Sequence, residues 1–584
     1  MAQERLEGRR VSRRWFLGAA GAVSAAGLAS SCGFGGGSGD DSPTASDDDD
    51  ETTEPTQPGV TTTPPKGLQT GGNLRYTAFA QGDTLFDPHK TQASPFYGFQ
   101  SMLFSRLLAY EDQAEGEGTI YADLAESMPE TPDGQTLVFK LNQAARWHER
   151  EPVNGRQVTA NDVKFSIERQ RDGDASFIRK AKWQNVESIE VEDDFTLRIR
   201  LKAPQAALFH LFADVNSFIV PPELTENGRE ISVLDQVGSG PFRFVEWNEG
   251  VFASAGRNPN WHGGDERPYL DGVTMVQPRD AATVEAGLRT KQLDVAFVGR
   301  PTADRLKEVI PSLTERSLGS SLFYGMRFRT TQFPFTDVRF RRALSLAINQ
   351  RAMVEEFFAG SGDINPWISW PVKQWALPPS ELASIPGYRP GDGGRAADVA
   401  EAKALLAAFA GENTVPADLP LFVLDEAETS LGMGSLMARQ IQEALDIKVT
   451  VYPMPIGTLI TRLINGESPW AAAPDTGWID LDDWVYPYFH SLGTKNTFPL
   501  RDPDMDALID AQRVELDGDA RRQMGFDIQK KLLDLNVGVN FVSERVIALA
   551  RSYVQNFPLD ISDGYQHQFA NCWLDAGDED FRGR

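Results

Sequence analysis

Apolar and polar residues alternate in several stretches of the first half of the chain. Phe195, Leu197, Ile199 and Leu201 are interleaved with Thr196, Arg198 and Arg200, a period of two that predicts a half-buried strand. Leu137, Phe139 and Leu141 repeat the pattern, and Asn73 to Ala80 reads as a first strand ahead of the turn-rich Gly82–Pro88. Helices such as Ala160 to Gln170 separate the strands. The pattern changes near 335. Phe340, Ala343, Leu344, Ala347, Ile348, Val354, Phe357 and Phe358 fall at helical spacing, with Thr336 or Asp337 as the cap and Gly360 as the stop, so one long helix is expected. A helix from Asp398 to Ala410, a strand at Leu421 to Leu424, a helix to Leu445 and a strand at Val449 and Val451 follow. Alternation of this kind predicts parallel βαβ units, hence an α/β lobe over about 325–535.

The first 72 residues do not fit either pattern. Arg13 and Arg14 precede Trp15-Phe16-Leu17 and a Gly/Ala/Val/Leu segment that ends in Ala29-Ser30-Ser31-Cys32. A cationic start, a short apolar run and small residues are the parts of an export signal. The arginine pair resembles a twin-arginine address. The small residues before Cys32 resemble a lipobox, although Leu28 stands one place further from the cysteine than the usual position, which Ala29 occupies. Trp15 to Ser31 is 17 residues, short of the ~20 apolar residues of a spanning helix. A cleaved signal (1–32) with Cys32 acylated is therefore expected. Residues 33–72, rich in Gly, Asp, Glu, Ser, Thr and Pro, cannot bury a core and read as a disordered tether. Its mean reach is on the order of 35 Å.

Composition narrows the function. A net charge of −26 over 584 residues argues against nucleic acid, whose phosphates it would repel. The 34 Phe and 12 Trp are enough for a sizeable core in two or three domains. With Cys32 acylated, Cys572 has no disulfide partner and reads as a small buried residue beside Trp573.

Several blocks, taken in order, resemble one family. Trp147-His148 leads to Val158-Thr159-Ala160-Asn161-Asp162-Val163-Lys164-Phe165-Ser166. Val237-Gly238-Ser239-Gly240-Pro241-Phe242 is followed by Arg257-Asn258-Pro259-Asn260-Trp261 and Pro268-Tyr269-Leu270-Asp271. Phe335-Thr336-Asp337-Val338-Arg339 runs into Ala343-Leu344-Ser345 and Ala347-Ile348-Asn349. On these residues the chain resembles the extracellular solute-binding proteins of family 5, the lipoproteins of ABC importers for oligopeptides, dipeptides and nickel chelates. The resemblance implies an α/β fold of the two-lobed periplasmic-binding-protein kind (type II, large, with an extra subdomain), mixed sheets and a hinge between the lobes. It implies lobe I from 73–115, 236–324 and 536–584, an inserted subdomain at 116–235, and lobe II at 325–535. It also implies capture of a peptide or small molecule by a monomer, delivery to ABC permease subunits, and residence on the outer face of the cytoplasmic membrane, anchored through Cys32.

A peptide or amine ligand needs an anion for its ammonium, a cation for its carboxylate and apolar walls. The resemblance places the anion in Trp478-Ile479-Asp480-Leu481-Asp482-Asp483-Trp484, where either Asp480 or Asp482 can fill the role. Arg329 stands where the family has an Asn on the crossover between lobes and is the candidate cation. Trp478, Trp484, Trp367 and Trp370 are candidate walls, since ligand pockets are largely apolar and aromatic. The acids have a second use as caps for a helix starting near Asp483. No HExxH, Gly-x-Ser-x-Gly, CxxC or phosphate loop occurs, so neither an enzyme nor a resident cofactor or metal is expected. Nickel chelates, oligosaccharides, other amines, presentation of a bound signal and hydrolysis stay open as alternatives to peptide import.

Overall fold

The computed structural model describes residues 68–581 except 79–85, 91–93, 112–118, 370–371, 426–427 and 560–563 and the single positions 175, 265, 279, 478 and 494. The export signal with Arg13 and Arg14, Cys32 and the tether therefore lie outside the described residues, as do Trp370 and Trp478.

One strand organises the two lobes. Gly538–Ala550 is 13 residues long. Its first half pairs antiparallel with Leu322–Phe328, and its second half pairs antiparallel with Val295–Val298 on one side and Thr314–Gly319 on the other. The lobe I part of the sheet continues through Asn73–Thr77, Gly272–Val276, Phe252–Arg257 and Phe242–Asn248. The lobe II part continues through Trp470–Thr476, Asp418–Leu424 and Lys448–Met454. The chain passes between the two parts at Ser320-Ser321 and again near Glu544, where the Ser320 amide donates to the Glu544 carbonyl at 3.0 Å. Beside that passage the Arg545 guanidinium pairs with Asp363 at 2.9 Å.

The expected βαβ units are present: Asp418–Leu424 is parallel to both Lys448–Met454 and Trp470–Thr476. Its core sets Phe328, Phe335 and Trp470 against one another, with ring centroids 5.1–6.0 Å apart. Such pairs each add about 0.5–1.5 kcal/mol beyond the area they bury. The long helix expected after 335 is in fact two, Val338–Ala347 and Gln350–Phe358. Asn349 breaks it: its side chain accepts from the Ala352 amide at 3.3 Å, so a new helix starts where the apolar spacing alone suggests continuation. Asp337 caps the first of the two, accepting from the Arg339 amide.

The antiparallel sheet of Thr136–Lys140, Thr196–Leu201 and Val186–Asp193, covered by helix Ala160–Asp172, has its own core of Phe139, Trp147, Ile167, Trp183, Ile199 and Phe212. Strand Thr196–Leu201 is its centre, as the alternation predicts, with Leu197, Ile199 and Leu201 buried. Cys572 is buried, and burial pushes its thiol above the usual range.

Candidate functional site

The blocks at Trp147–Ser166, Val237–Phe242 and Arg257–Trp261 converge on one junction. The His148 amide donates to the Gly238 carbonyl at 2.8 Å, and the Gly238 amide donates back to the His148 Nδ1 at 3.3 Å. The His148 Nε2 and the Asn258 side-chain amide both meet the Gly240 carbonyl, at 3.2 and 2.9 Å. Burial pulls the imidazole down to about 4, so it is neutral and donates through Nε2. A Cβ on Gly238 would sit 1.9 Å from the Leu103 carbonyl oxygen, which only glycine permits. Asp162 completes the junction. It takes a bidentate pair from Arg156 at 2.7 and 2.8 Å and caps its own helix at Thr159. These residues fasten the segment leading into the helix Ala160–Asp172 to the turn that opens strand Phe242–Asn248.

The acidic turn lies in the neighbourhood of the three-stranded sheet, reached by Lys182 and His210. Asp480 is the N-cap of helix Leu481–Phe489, accepting from the Asp482 amide at 2.8 Å. Both its oxygens also receive the Arg521 guanidinium, at 2.7 Å each, with the two side chains 2% and 4% exposed. This buried cation and the nearby His210 hold the Asp480 carboxyl well below the usual range, against the opposing effect of burial. His210 Nε2 lies 3.6 Å from Asp480, and its Nδ1 meets the Tyr110 hydroxyl at 2.6 Å. Asp482 differs. Burial, joined by Asp480 and Asp483, pushes it up to about 6, although Arg513 stands 3.3 Å away and Gln512 donates to it at 2.8 Å. Asp483 pairs with Lys182 of the three-stranded subdomain, and Lys182 lies 3.7 Å from Asp214 of the same subdomain.

Arg329 is buried and spends its guanidinium on carbonyls: Leu463 at 2.6 Å, Thr497 at 2.9 Å and Ser468 at 3.3 Å. It braces the end of helix Ile456–Ile464 against the Thr497 loop. Trp484 is buried with its ring 5.5 Å from that of Phe323. Trp367 is buried edge-on against Phe489 at 5.1 Å.

A second cluster gave no motif. On one face of the Leu322–Phe328 and Trp470–Thr476 pair, the register sets Phe323 opposite Asp475, Gly325 opposite Ala473, and Arg327 opposite Ala471. Phe323 and Arg327 are four residues apart along the strand, but the Arg327 side chain folds back over Gly325, its Nη1 3.1 Å from where a Cβ on that glycine would lie. Small residues between them leave a slot of about 90 Å³, closed by Tyr488, Phe489, Lys495 and Phe498. At one end Asp475 accepts from the Tyr488 hydroxyl at 2.6 Å and from Lys495 at 3.2 Å. Beside it, the Arg327 guanidinium lies 4.8 Å from the Trp367 ring centre, 5.7 Å from that of Phe323 and 5.8 Å from that of Phe489. One of its nitrogens, Nη1, donates to the Met326 carbonyl at 3.0 Å. Among the described residues no carboxylate lies within ion-pair distance of it. Burial pulls it down to about 10, which still leaves it charged at neutral pH. Gly325 makes the room: a Cβ there would be 3.1 Å from Arg327 Nη1. The interior glycine followed by an arginine two places on was the one sequence signal for this slot.

The sequence profile described as "Bacterial extracellular solute-binding proteins, family 5 Middle" matches residues 119–497. The chain belongs to this family. Among curated relatives, the glutathione-binding protein GsiB of Pectobacterium atrosepticum is 29% identical over 277 residues, 45% of this chain and 52% of that protein. The oligopeptide-binding protein AppA of Bacillus subtilis is 26% identical over 308 residues, 51% and 53% of the two chains. The chain thus spans about half the length of the curated relatives it matches. Two solved structures share the fold. The substrate-binding protein CtaP of Listeria monocytogenes has a TM-score of 0.72 at 18% identity, over 87% of this chain and 100% of that one. AppA of Bacillus subtilis, in complex with a nonapeptide, has a TM-score of 0.68 at 18% identity, over 87% and 99%.

Proposed function

We propose that this chain is the extracytoplasmic substrate-binding lipoprotein of an ABC importer, which captures a dipeptide or oligopeptide by closing its lobes and hands it to the membrane permease. The observation that carries the reading is a family 5 body whose lobes join through the Gly538–Ala550 strand and the Ser320-Ser321 passage, with a mostly apolar slot bearing a few charged side chains beside that junction. Hinged closure is the usual motion of such a construction. The relatives named for glutathione and oligopeptides point the solute toward peptides. The twin-arginine signal, acylation at Cys32 and the acidic tether would hold the body outside the cytoplasmic membrane, free to swivel. The segmentation into lobe I, inserted subdomain (116–235) and lobe II (325–535) belongs to the same proposal, as do the ligand contacts of the Trp478–Trp484 segment.

The test is native mass spectrometry of the purified mature protein for a retained solute, with thermal shift against di- to pentapeptides. A ligand that binds only the folded state raises the melting temperature by mass action. Stabilisation by peptides is expected. A shift with a nickel chelate or a sugar and none with peptides would overturn the peptide assignment, and turnover of a peptide or glycan at enzyme rates would overturn the binding-protein reading itself.

A further inference from the structure

We propose that Arg329 is a positioning residue that sets the size of the solute group this protein accepts. From behind the slot on the Leu322–Phe328 and Trp470–Thr476 face it holds two of the slot's walls together, so that a small aliphatic group enters and an aromatic ring does not. The inference rests on the peptide-binding reading above and adds the size class of the group that enters.

Three observations carry it. The first is where Arg329 spends its donors. It does not line the slot, but Leu463, Thr497 and Phe498 do. Its Nη2 donates to the Leu463 carbonyl at 2.6 Å and to the Thr497 carbonyl at 2.9 Å, while its guanidinium lies 5.6 Å from the Phe498 ring centre. Its Nε donates to the Ser468 carbonyl at 3.3 Å. The three carbonyls belong to the last turn of helix Ile456–Ile464, the turn ahead of strand Trp470–Thr476 and the loop after helix Leu481–Phe489. One nitrogen thus ties a helix end to a loop, and each of the two contributes a wall.

The second is the firmness of that tie. Arg329 is buried, and among the described residues no carboxylate pairs with it, so the carbonyls alone answer its charge. A cation is favoured at a helix C-terminus, and a buried guanidinium that lost its acceptors would be stranded at high cost. Gly466 closes over it: a Cβ there would lie 3.8 Å from Arg329 Nη1. A glutamine side chain ends where the arginine Nε stands and offers a single amide, so it cannot serve the same three segments.

The third is space. The slot holds about 90 Å³. A cavity of about 150 Å³ takes a benzene ring, so this one falls short of a ring and suits an aliphatic group. Phe323, Leu463, Phe489, Leu500 and Val537 make it mostly apolar. Its floor is already small, with Gly325, Ala471 and Ala473, so the volume is limited by the walls that Arg329 holds.

Calorimetric titration of a tri-alanine series, with Val, Leu, Phe or Trp placed at each position in turn, reads the size limit on the unaltered protein. At one position Val is expected to bind at least about tenfold tighter than Phe, the penalty of overfilling a packed site. Arg329→Gln frees Leu463 and Thr497 but keeps the backbone bond from residue 329 to the Pro469 carbonyl. It should cut the Val-over-Phe preference to threefold or less and leave the preferences at the other two positions within twofold. Arg329→Lys, with one nitrogen to place, should fall between. A purely structural role would weaken every peptide by the same factor, and that result overturns the assignment, as does an unchanged Val-over-Phe ratio. Should Arg329→Gln fail to fold, Arg329→Lys is read by the same ratio, and a ratio equal to the parent's overturns it. Peptides bound by the unaltered protein with no size preference at any position overturn the size limit and leave the peptide reading standing. If no peptide binds, the peptide reading falls and the size limit falls with it.

Discussion

Replacing Arg521 with methionine distinguishes a structural Asp480 from a ligand-facing one. In the protein as it stands, Asp480 receives two 2.7 Å bonds from a guanidinium as buried as itself. Its other partners are the Asp482 amide at 2.8 Å and His210 at 3.6 Å. Arg521→Met therefore strands a carboxylate with one hydrogen bond and a weakly placed imidazole, and breaking a buried pair from one side costs about 3–5 kcal/mol. Asp480→Asn should cost less, because Arg521 keeps the Gln512 carbonyl and side-chain oxygen at 3.0–3.2 Å. The pH dependence follows from the shifts. A depressed carboxyl stabilises the native state above the ordinary carboxylate range and loses that contribution as pH falls through it. Without Arg521 the order reverses: the stranded Asp480 favours protonation, and His210, now free of the arginine's repulsion, favours its charged form, so acidification helps. Urea unfolding followed by tryptophan fluorescence at pH 7.5 and 5.5 reads both effects. The variant should lose roughly 5–10 °C in a parallel melt at pH 7.5 and recover part of the difference at pH 5.5. A loss under about 1 kcal/mol, or no recovery at pH 5.5, would show that the pair is not a structural fixture and that Asp480 is free to hold a ligand amine.

Four further outcomes are expected. Asp482, raised to about 6, favours the native state when protonated; that contribution is lost as pH rises from about 4 to 6, so Asp482→Asn should be more stable than the parent at pH 7.5 and equal to it near pH 4, by denaturant midpoint. Lys182→Asp, which breaks the contact between the three-stranded subdomain and Asp483, should weaken ligand binding by about tenfold, and Asp483→Lys in the same chain should restore part of it; equal binding in all three proteins, by calorimetry, would remove the pair from closure. Gly325→Ala puts a methyl 3.1 Å from Arg327 Nη1 and 2.8 Å from the Val539 carbonyl oxygen of the paired strand, and should lower both the affinity, by tenfold or more in calorimetry, and the melting temperature. Cys32→Ala should release the protein from the membrane fraction, and Arg13→Lys with Arg14→Lys should stop export; fractionation and immunoblotting check both.

The regular elements were legible because their cause is local. The period of two gave the strand that the structure places at Thr196–Leu201, with its buried face, and the helix expected over Ala160 to Gln170 runs to Asp172. The break at Ile348-Asn349 was missed because apolar spacing runs straight through it, while the cap that ends it is a single side-chain bond. Asp480 as a helix cap was legible too, but Arg521, 41 residues on, was not. Arg329 stands out in the sequence because it replaces the family's crossover Asn, whereas Arg327, two places earlier, carries no such mark. What separates them is the partner: three carbonyls for Arg329, three aromatic rings and a slot for Arg327.

The same contrast explains why the family was easier to read than the solute. His148, Gly238, Gly240 and Asn258 meet one another through backbone groups, and each is confined to one residue type by geometry: a buried neutral imidazole bridging two backbone groups, a carbonyl 1.9 Å from a missing Cβ. Constraints of that kind leave a pattern in the sequence and say nothing about what is bound. The slot is set by different means. Its floor is a cross-strand register, Gly325 with Ala473, and its poles are side chains brought together from the crossover strand, the following strand, a helix and a loop. Any of Phe323, Asp475, Tyr488 or Lys495 could change without disturbing the backbone bonds that make the lobe. A scaffold fixed by backbone contacts and a slot fixed by exchangeable side chains would let one fold serve many solutes. On that reasoning, solute preference should follow the pole residues Arg327 and Asp475 rather than the junction. Exchanging the charges at those two positions should change which peptide ends are bound while the melting temperature moves by only a few degrees.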